Sequence, residues 1–187
     1  GYKLLNGHGL EIGAFHQPAP LPAHCTIEYC DVCSPEEIIK HFPELNISAK
    51  ALVKVDHICD LDKQGLSIFS PEQFDFVILN HVIEHVANPI EIVGELFRIT
   101  KPGGHVVISA PDKRFTFDHA RPLTSFEHLL EEYQNNVTEV TEEHYLDFLR
   151  GVHPETSQLS PLELQRALNG VKQRREHDHV WHYDRYT

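Results

Sequence analysis

Methionine is absent from this sequence of 187 residues, which also has one tryptophan and four cysteines. It contains no apolar stretch of transmembrane length and no signal peptide, so we expect a cytoplasmic protein without a membrane partner. Because the chain begins with Gly1 and lacks methionine, we also expect it to be a fragment or a processed form of a longer protein.

Basic residues are scarce. The 16 lysines and arginines are outnumbered by 28 aspartates and glutamates, giving a net charge of -12 with neutral histidines. Surfaces that bind nucleic acid are usually basic, so this balance argues against a nucleic-acid partner, despite a small patch at Lys172, Arg174 and Arg175. The hydrophobic fraction of 41% is typical of a globular domain with a sizeable core.

The four cysteines form no strong metal motif. Cys30 and Cys33 make a C-x-x-C pair, but zinc sites of this type need a second pair or histidines at ligand spacing. We therefore favour reduced thiols in and beside strands of a cytoplasmic protein.

The stretch from Gly9 to Phe15 carries the first functional signal. Leu10 and Ile12 are apolar, Glu11 lies between them, and Gly13 interrupts the run. This pattern predicts a buried strand that ends in a tight turn, at the carboxyl end where open α/β sheets bind ligands. A glycine at that point leaves room for a ligand beside the backbone.

Strands and helices alternate up to Pro111, which predicts a parallel sheet with right-handed crossovers. The predicted strands cover residues 10–13, 25–30, 52–55, 74–79 and 105–109, and the predicted helices cover residues 34–42 and 89–99. A tight turn at Lys101–Gly104 precedes the fifth strand. Later in the chain, the pattern predicts three amphipathic helices, over residues 125–133, 141–149 and 160–175.

Taken in order, these motifs resemble those of class I S-adenosylmethionine-dependent methyltransferases of the type 11 kind. The resemblance covers residues 9–111, and the Lys-Pro-Gly-Gly turn before an apolar strand is its most specific part. Its series is Glu11-x-Gly13, Asp31, Asp60-Leu61, Phe74 to Ile78, His81 to His85, and Arg98 to Gly104. The segment from Pro111 to Asp118 is similar to a bacterial subgroup linked to surface-polysaccharide or sugar metabolism.

The resemblance implies a Rossmann-like α/β fold, in which a mostly parallel sheet has helices on both faces and a helical C-terminal part follows. Residues 1–111 would form the cofactor-binding core, and residues 112–187 a helical substrate or cap region of the same domain. The family sheet normally ends with two further strands that this sequence lacks, although residues 180–183 would suit the start of one. An unfinished sheet edge favours pairing, so we expect a homodimer.

The implied cofactor is S-adenosylmethionine, with S-adenosylhomocysteine as the product. Glu11 would orient the methionine end, and Gly13, followed by Ala14, would let the cofactor approach the backbone. Asn80 would line the methionine and substrate side. The family turn is rich in glycine, whereas this one has Gly13 alone, which is a departure from the pattern.

The nucleoside end is implied to be held by two acids. Asp31 would accept hydrogen bonds from the ribose hydroxyls, since a carboxylate offers two acceptor oxygens to a vicinal diol. Asp60 would bind the adenine amino group, in competition with Asp56 and Asp62, and Leu61 would pack against the ring.

The segment His81-Val-Ile-Glu84-His85 has several interpretations. It matches the H-x-x-E-H zinc-protease pattern, but it follows a buried strand and ends at Asn88-Pro89, so we set a protease aside. Some ubiquinone-biosynthesis and small-RNA methyltransferases bind a divalent ion through E-x-x-E-H. Here His81 replaces the first glutamate, so we predict no metal and favour hydrogen bonding at a helix start.

Methyl transfer to oxygen needs alignment and removal of a proton, because a sulfonium is already a strong electrophile. The predicted general bases are His85 and His81, with His119 behind them. Two other groups have two interpretations each. Asp112 to Arg114 either recognise an anionic or sugar substrate or form a salt-bridged loop. The histidines at positions 177, 179 and 182 either bind metal or belong to a solvated tail, which we favour.

We therefore predict a methyltransferase that moves the methyl group of S-adenosylmethionine to an oxygen or nitrogen of a small molecule or glycan precursor. The alternative is a non-catalytic methyltransferase-fold module with a role in protein assembly. The single-glycine turn and the absent terminal strands favour that alternative. No motif identifies the methyl acceptor.

Overall fold

The computed structural model describes residues 1–41, 48 and 51–181, and these contain a five-stranded parallel sheet. Its strand order is β3-β2-β1-β4-β5. The strands are β1 His8–Ile12, β2 Thr26–Asp31, β3 His57–Ile58, β4 Phe74–Asn80 and β5 Thr100–Ser109. The predicted Rossmann-like α/β fold with a helical C-terminal part is therefore confirmed.

Strand β4 lies inside the sheet and is its most apolar part. It pairs with β1 on one side and with β5 on the other, and the four residues Phe76–Leu79 have no exposed surface. Such a continuous apolar run is typical of parallel strands that are covered on both faces. Burial of these side chains is the main reason why the sequence forms this sheet.

The described residues form six α-helices, some of which begin at a serine cap. Ser125 and Ser160 accept hydrogen bonds from backbone amides at the starts of the fourth and sixth helices. The helices are α1 Pro35–His41, α2 Leu61–Gln64, α3 Pro89–Ile99, α4 Phe126–Gln134, α5 Glu142–Val152 and α6 Pro161–Arg174. The predicted end of α1, at residues 42 and 43, lies outside the described residues. No described helix is long and apolar enough to cross a membrane.

The third strand lies later in the chain than predicted. His57–Ile58 pair with the end of β2, whereas residues 52–55 form no strand. The backbone amide of Val53 donates instead to the carbonyl of Phe15, at 3.0 Å. The apolar run at 52–55 therefore did not locate the strand, because a strand forms only where its backbone amides and carbonyls pair with those of a neighbouring strand.

The predicted turn at Lys101–Gly104 is a bulge within β5. Thr100 pairs with Phe74 and His105 pairs with Phe76, so four residues of β5 oppose a single residue of β4. A Cβ atom at Gly104 would lie 2.5 Å from the carbonyl oxygen of Asp75. The glycine is therefore required by the close approach of two backbones.

The chain folds as two compact units, which are described separately below. The sheet unit comprises residues 1–83 and 90–109, and the helical unit comprises residues 84–89 and 110–187. The core of the helical unit is formed by Tyr145, Phe148, Leu149, Leu168 and Val171. Residues 110–181 contain no strand; the strand start predicted at 180–183 is absent at 180 and 181, and 182 and 183 are not described.

Candidate functional site

The carboxyl ends of the five strands lie along one edge of the sheet, because all the strands are parallel. The chain first adds β2 and β3 on one side of β1, and then β4 and β5 on the other. The topological switch point therefore lies between β1 and β4. Open α/β sheets bind ligands in the crevice at such a point.

Gly13 follows β1 at the switch point. Its φ angle of 72° lies in the left-handed region, and a Cβ atom there would lie 2.5 Å from Cγ2 of Val82. Its amide donates to the carbonyl of Cys30 at 2.9 Å, and the neighbouring Ala14 is buried. Glycine adopts this left-handed conformation without strain. The turn after β1 therefore forms at Gly13 although the segment lacks the further glycines of the family pattern.

Glu11 is buried in β1, with 1% of its surface exposed. Both carboxylate oxygens accept from the amide of Ala19, at 3.0 and 3.1 Å. Burial raises the pKa of Glu11, and hydrogen bonds from Ala19 and the Asn80 side chain partly offset that rise. In this geometry Glu11 holds the proline-rich segment 17–22 at the edge of the sheet. Its direct contact with the cofactor stays a prediction.

Asn80 connects the ends of β4 and β5. Its Nδ2 donates to the hydroxyl of Tyr2 and its Oδ1 accepts from the hydroxyl of Ser109, both at 2.9 Å. The next residue, His81, has an exposed side chain and a φ angle of 52°. The amide of His81 donates to the carbonyl of Ser109 at 2.9 Å, which fixes the backbone from which this side chain projects.

Asp31 ends β2 and is half-buried. Its Oδ1 accepts from the amide of Val32 at 2.7 Å. Burial raises the pKa of Asp31, while hydrogen bonds from the Val32 and Cys33 amides lower it. The carboxylate is therefore held in one orientation by the backbone, and it retains further lone pairs for a ligand.

Asp60 follows β3 and caps α2, where its Oδ1 accepts from the amide of Asp62 at 3.1 Å. Leu61 beside it is buried. The competing Asp56 precedes β3, and its carboxylate accepts from the Tyr29 amide and from a lysine side chain, each at 3.1 Å. Asp56 lies before β3 and beside Tyr29, two residues before Asp31 in β2, so it is set back from the strand ends where Asp31 and Asp60 lie. The structure thus favours Asp60 over Asp56 for the adenine.

These residues fit a nucleoside cofactor. Asp31 and Asp60 follow two neighbouring strands, and Gly13 follows the next strand across the sheet. Carboxylates accept hydrogen bonds from hydroxyl and amino groups, which are the groups that a ribose and an adenine offer. The buried Leu61 adds an apolar surface beside one of the acids. These hydrogen-bond acceptors and the apolar side chain therefore suit the adenosine part of S-adenosylmethionine.

His85 lies in the helical unit and contacts a buried acid that the sequence did not suggest. Its Nδ1 is 2.8 Å from Oδ1 of Asp178, and its side chain is 40% exposed. Its Nε2 is 3.9 Å from Oε1 of Glu84. Burial opposes the charged form, but the contact with Asp178 and the charge of Glu84 outweigh it and raise the pKa of His85. An imidazole oriented by a carboxylate is the arrangement of a general base.

The other predicted polar groups of the helical unit are held by their own neighbours. Asp112 pairs with Arg114 at 2.5 Å, and the ammonium of Lys113 donates to the carbonyl of Arg121. This geometry supports the salt-bridged loop over substrate recognition. His119 is exposed and its Nδ1 lies 3.3 Å from a carbonyl oxygen of the preceding turn.

The prediction of a solvated histidine tail was wrong for His177 and His179. Both are buried, with at most 2% of their surface exposed, and His182 lies outside the described residues. The segment is held by buried Arg121, whose guanidinium donates to the carbonyls of His177 and Asp178 at 3.1 and 3.0 Å. The alternating histidines were a sequence signal for an ordered, buried segment, whereas nothing in the sequence indicated the role of Arg121.

Comparison with known proteins decides the family. A family model described as "Methyltransferase domain" matches residues 18–185. The chain belongs to this methyltransferase family. Membership confirms the predicted class of enzyme and its cofactor, S-adenosylmethionine.

Similar proteins match this methyltransferase over short stretches. The bifunctional methionine biosynthesis protein MetXA/MetW of Rhodopirellula baltica is 38% identical over 68 residues, covering 36% of this chain and 10% of the relative. The mitochondrial ubiquinone biosynthesis O-methyltransferase of Dictyostelium discoideum is 45% identical over 49 residues, covering 26% of this chain and 15% of the relative. The chain thus spans a small part of the length of both curated relatives.

A solved structure from Thermotoga maritima is also similar. It is described as an S-adenosylmethionine-dependent methyltransferase and possible histamine N-methyltransferase. It is 22% identical, with a TM-score of 0.44, and the match covers 89% of this chain and 63% of that chain.

Proposed function

We propose that this methyltransferase moves the methyl group of S-adenosylmethionine to an oxygen or nitrogen of a small molecule or glycan precursor. The observation that carries the proposal is the pair Asp31 and Asp60 at neighbouring strand ends, with Gly13 at the switch point. In a member of the methyltransferase family, this arrangement suits the nucleoside of the cofactor better than any other ligand class.

The residues of the sheet unit would divide the binding between them. Asp31 accepts from the ribose hydroxyls, Asp60 accepts from the adenine amino group, and Leu61 packs against the ring. Gly13 and Ala14 leave space for the methionine part. Glu11 and Asn80 position the proline-rich segment and the end of β4. The bound cofactor supplies an electrophilic methyl group on a positively charged sulfur.

His85 would act as the general base, with Asp178 as its positioning residue. Asp178 lies 2.8 Å from Nδ1 and would hold the imidazole in one orientation for proton transfer from the acceptor. His81 is the second candidate, because its exposed side chain projects from a fixed turn at the end of β4. Proton removal matters most for a hydroxyl acceptor, whose conjugate base is the better nucleophile.

Two observations support the choice of acceptor. The ubiquinone-biosynthesis relative is named as an O-methyltransferase, which supports oxygen. The segment from Pro111 to Asp118 supports a sugar or surface-polysaccharide precursor in a bacterial cytoplasm. Residues 1–111 would hold the cofactor and residues 112–187 the acceptor, and two copies would pair through the open edge of β5.

Calorimetric titration with S-adenosylmethionine and S-adenosylhomocysteine tests the cofactor site. We expect micromolar binding by the wild type and about 10- to 100-fold weaker binding by Asp31→Ala, which loses charge-assisted hydrogen bonds. Asp56→Ala is the matched control, because the Asp56 carboxylate is held before β3 by the Tyr29 amide and by Lys54, so its loss should leave the affinity unchanged.

Two outcomes would count against the proposal. Equal losses in Asp31→Ala and Asp56→Ala, or no binding by the wild type, would remove the assigned site. Binding without methyl transfer to any hydroxyl or amine in an acceptor screen would instead favour the non-catalytic assembly module.

A further inference from the structure

Four histidines and one glutamate converge inside the helical unit, and we call them the histidine cluster. They come from α4, α5 and the segment after α6, and they are His128, Glu132, His144, His177 and His179. His128 and Glu132 are four residues apart on α4, which places them on one helix face. Ligand atoms of His144, His177 and His179 lie within 4.8 Å of one another, and so do those of His128, Glu132 and His144. His144 therefore belongs to both groups.

Three of these ligand atoms already form a nearly regular triangle. Nε2 of His128 is 2.8 Å from Nε2 of His144 and 3.1 Å from Oε1 of Glu132. The third side, from Nε2 of His144 to the same Oε1, is 3.3 Å. Ligands on a tetrahedral zinc ion with bonds of about 2.0–2.1 Å lie about 3.3 Å apart. The triangle is thus close to the spacing of three ligands on one ion.

His177 and His179 have their tautomers fixed by the backbone. Nε2 of His177 lies 2.9 Å from the carbonyl oxygen of His85, and Nε2 of His179 lies 3.0 Å from that of Val86. A carbonyl can only accept, so both Nε2 atoms carry the hydrogen and both Nδ1 atoms carry a lone pair. Metal-bound histidines usually donate their second ring N–H to a carbonyl or carboxylate in this way.

The cluster also contains buried polar atoms that make no hydrogen bond among the described residues. These are Nδ1 of His177, Nδ1 of His179 and Oε2 of Glu132, and this Oε2 lies 3.9 Å from Nε2 of His179. Each is an acceptor, and a buried acceptor without a donor destabilises the fold. A cation bound beside such atoms would supply the missing partner.

Burial also keeps the histidines in the protonation state that binds metal. Desolvation lowers the pKa of His177 to about 4 and that of His179 to about 3, so both are neutral near pH 7. Desolvation and the nearby charge of Glu131 raise the pKa of Glu132 to about 7, so its ionised form needs a positive charge beside it. A divalent ion would supply that positive charge and keep the carboxylate ionised.

We propose that the histidine cluster binds one divalent transition-metal ion of the zinc type. Glu132 supplies an oxygen ligand, His128 and His144 supply nitrogens, and the His177 and His179 pair completes the coordination. Imidazole and carboxylate ligands suit Zn²⁺, and also Co²⁺, Ni²⁺ and Fe²⁺, better than Mg²⁺ or Ca²⁺.

The proposed ion would face a cavity of about 640 Å³ in the helical unit. Four members of the cluster line this cavity, namely His128, Glu132, His144 and His179. The cavity would therefore give water or a small molecule access to the cluster.

The metal content of the full chain, purified without a histidine tag, tests the proposal directly. After chelator treatment, the protein is titrated with Zn²⁺ and separately with Co²⁺, whose visible spectrum reports coordination geometry. We expect one equivalent of Zn²⁺ at micromolar affinity or tighter, and an intense tetrahedral or five-coordinate Co²⁺ spectrum. Absence of stoichiometric binding, or the weak spectrum of hexaaqua Co²⁺, would overturn the site.

Two variants and a control tie the binding to these residues. His144→Ala removes the ligand shared by both groups and should weaken Zn²⁺ binding at least about 100-fold, since even outer-shell losses cost 10–100-fold. His128→Gln lies partly at the surface of α4, so it serves if His144→Ala fails to fold, with the same expectation. His153→Ala removes an exposed histidine of the same unit and should change nothing. Wild-type affinity in either cluster variant would refute the assignment.

Discussion

His85 and Asp178 show how a side chain acquires a role that its own sequence context does not give it. They lie 93 positions apart, yet the imidazole Nδ1 and the carboxylate Oδ1 are 2.8 Å apart. Asp178 is buried whereas the His85 side chain is 40% exposed, so solvent weakens this contact less than one between two exposed side chains. The contact with Asp178 therefore fixes the orientation of the imidazole.

Replacing His85 by glutamine should lower kcat by about 10²- to 10⁴-fold, the usual contribution of a general base. Cofactor affinity, measured by calorimetry, should be unchanged, because the assigned cofactor residues belong to the sheet unit. His81→Asn is the paired variant, since asparagine tolerates the left-handed backbone at that position. A large kcat loss in His81→Asn with none in His85→Gln would transfer the role to His81.

The positions of the two acids proposed to bind the nucleoside could be predicted from the sequence, because each acid follows its own strand. Asp31 and Asp60 come directly after or at the end of short apolar segments, and parallel strands bring such positions to one edge. Glu11 was harder, because the bond that it makes is to the amide of Ala19, in a proline-rich stretch with no regular pattern. Partners that come from irregular segments, such as Asp178, leave no local signal.

At the scale of elements, glycine-to-alanine substitutions in the β5 bulge and in α6 should change the free energy of unfolding in opposite directions. Gly104→Ala should lower the free energy of unfolding by about 1–3 kcal/mol, because the new methyl group would lie 2.5 Å from the Asp75 carbonyl. Gly170→Ala should raise it by about 0.5–1 kcal/mol, since nothing lies within 4 Å of a Cβ there and alanine favours the α6 helix. Urea unfolding of both variants gives the comparison, and the same sign in both would contradict the backbone contact.

Glu28 joins three strands by two contacts. Its carboxylate lies 2.8 Å from Nε2 of His8 in β1 and 2.5 Å from Nε2 of His57 in β3. The hydrogen bond from His57 is the main cause that lowers the pKa of Glu28, and burial opposes it. A lowered carboxyl pKa stabilises the fold above the ordinary value of the group, and this contribution is lost as the pH falls through the lowered value.

Glu28→Gln should therefore lower the free energy of unfolding by about 1 kcal/mol at neutral pH, allowing for partial exposure. The difference from wild type should vanish as the pH falls below about 4. Urea unfolding across this range is the measurement, with Glu36→Gln, an exposed acid in α1, as the control. A difference that stays constant with pH would show that the side-chain amide, not the lost charge, is responsible.

The elements themselves could be predicted where one segment carries the whole signal. Strand β4 is apolar throughout, and α4 and α6 have serine caps, so both kinds of element lie close to their expected bounds. Strand β3 could not be placed, because its two residues are selected by the end of β2 and not by their own hydrophobicity.

For the whole molecule, the sheet unit could be predicted from the sequence more fully than the helical unit, because local sequence patterns define its elements. In the sheet unit, strands and helices alternate, and most of these segments have a hydrophobic pattern that predicts them individually. The histidine cluster joins α4, α5 and a stretch beyond α6 that looks polar and unstructured when read alone. Fifteen histidines are spread through the chain, and only the tertiary fold shows which of them meet.

Arg121 and the carbonyls of His85 and Val86 hold the segment after α6 by hydrogen bonds. Lys172, Arg174 and Arg175, near the end of α6, have the side chains after which a trypsin-like protease cuts. One such cut would leave the partner of His85 and two members of the histidine cluster attached by these noncovalent contacts alone, so that they could dissociate together while the strand-end acids of the sheet unit stay intact. A nicked enzyme would then retain its hold on the nucleoside and lose its chemistry in a single step.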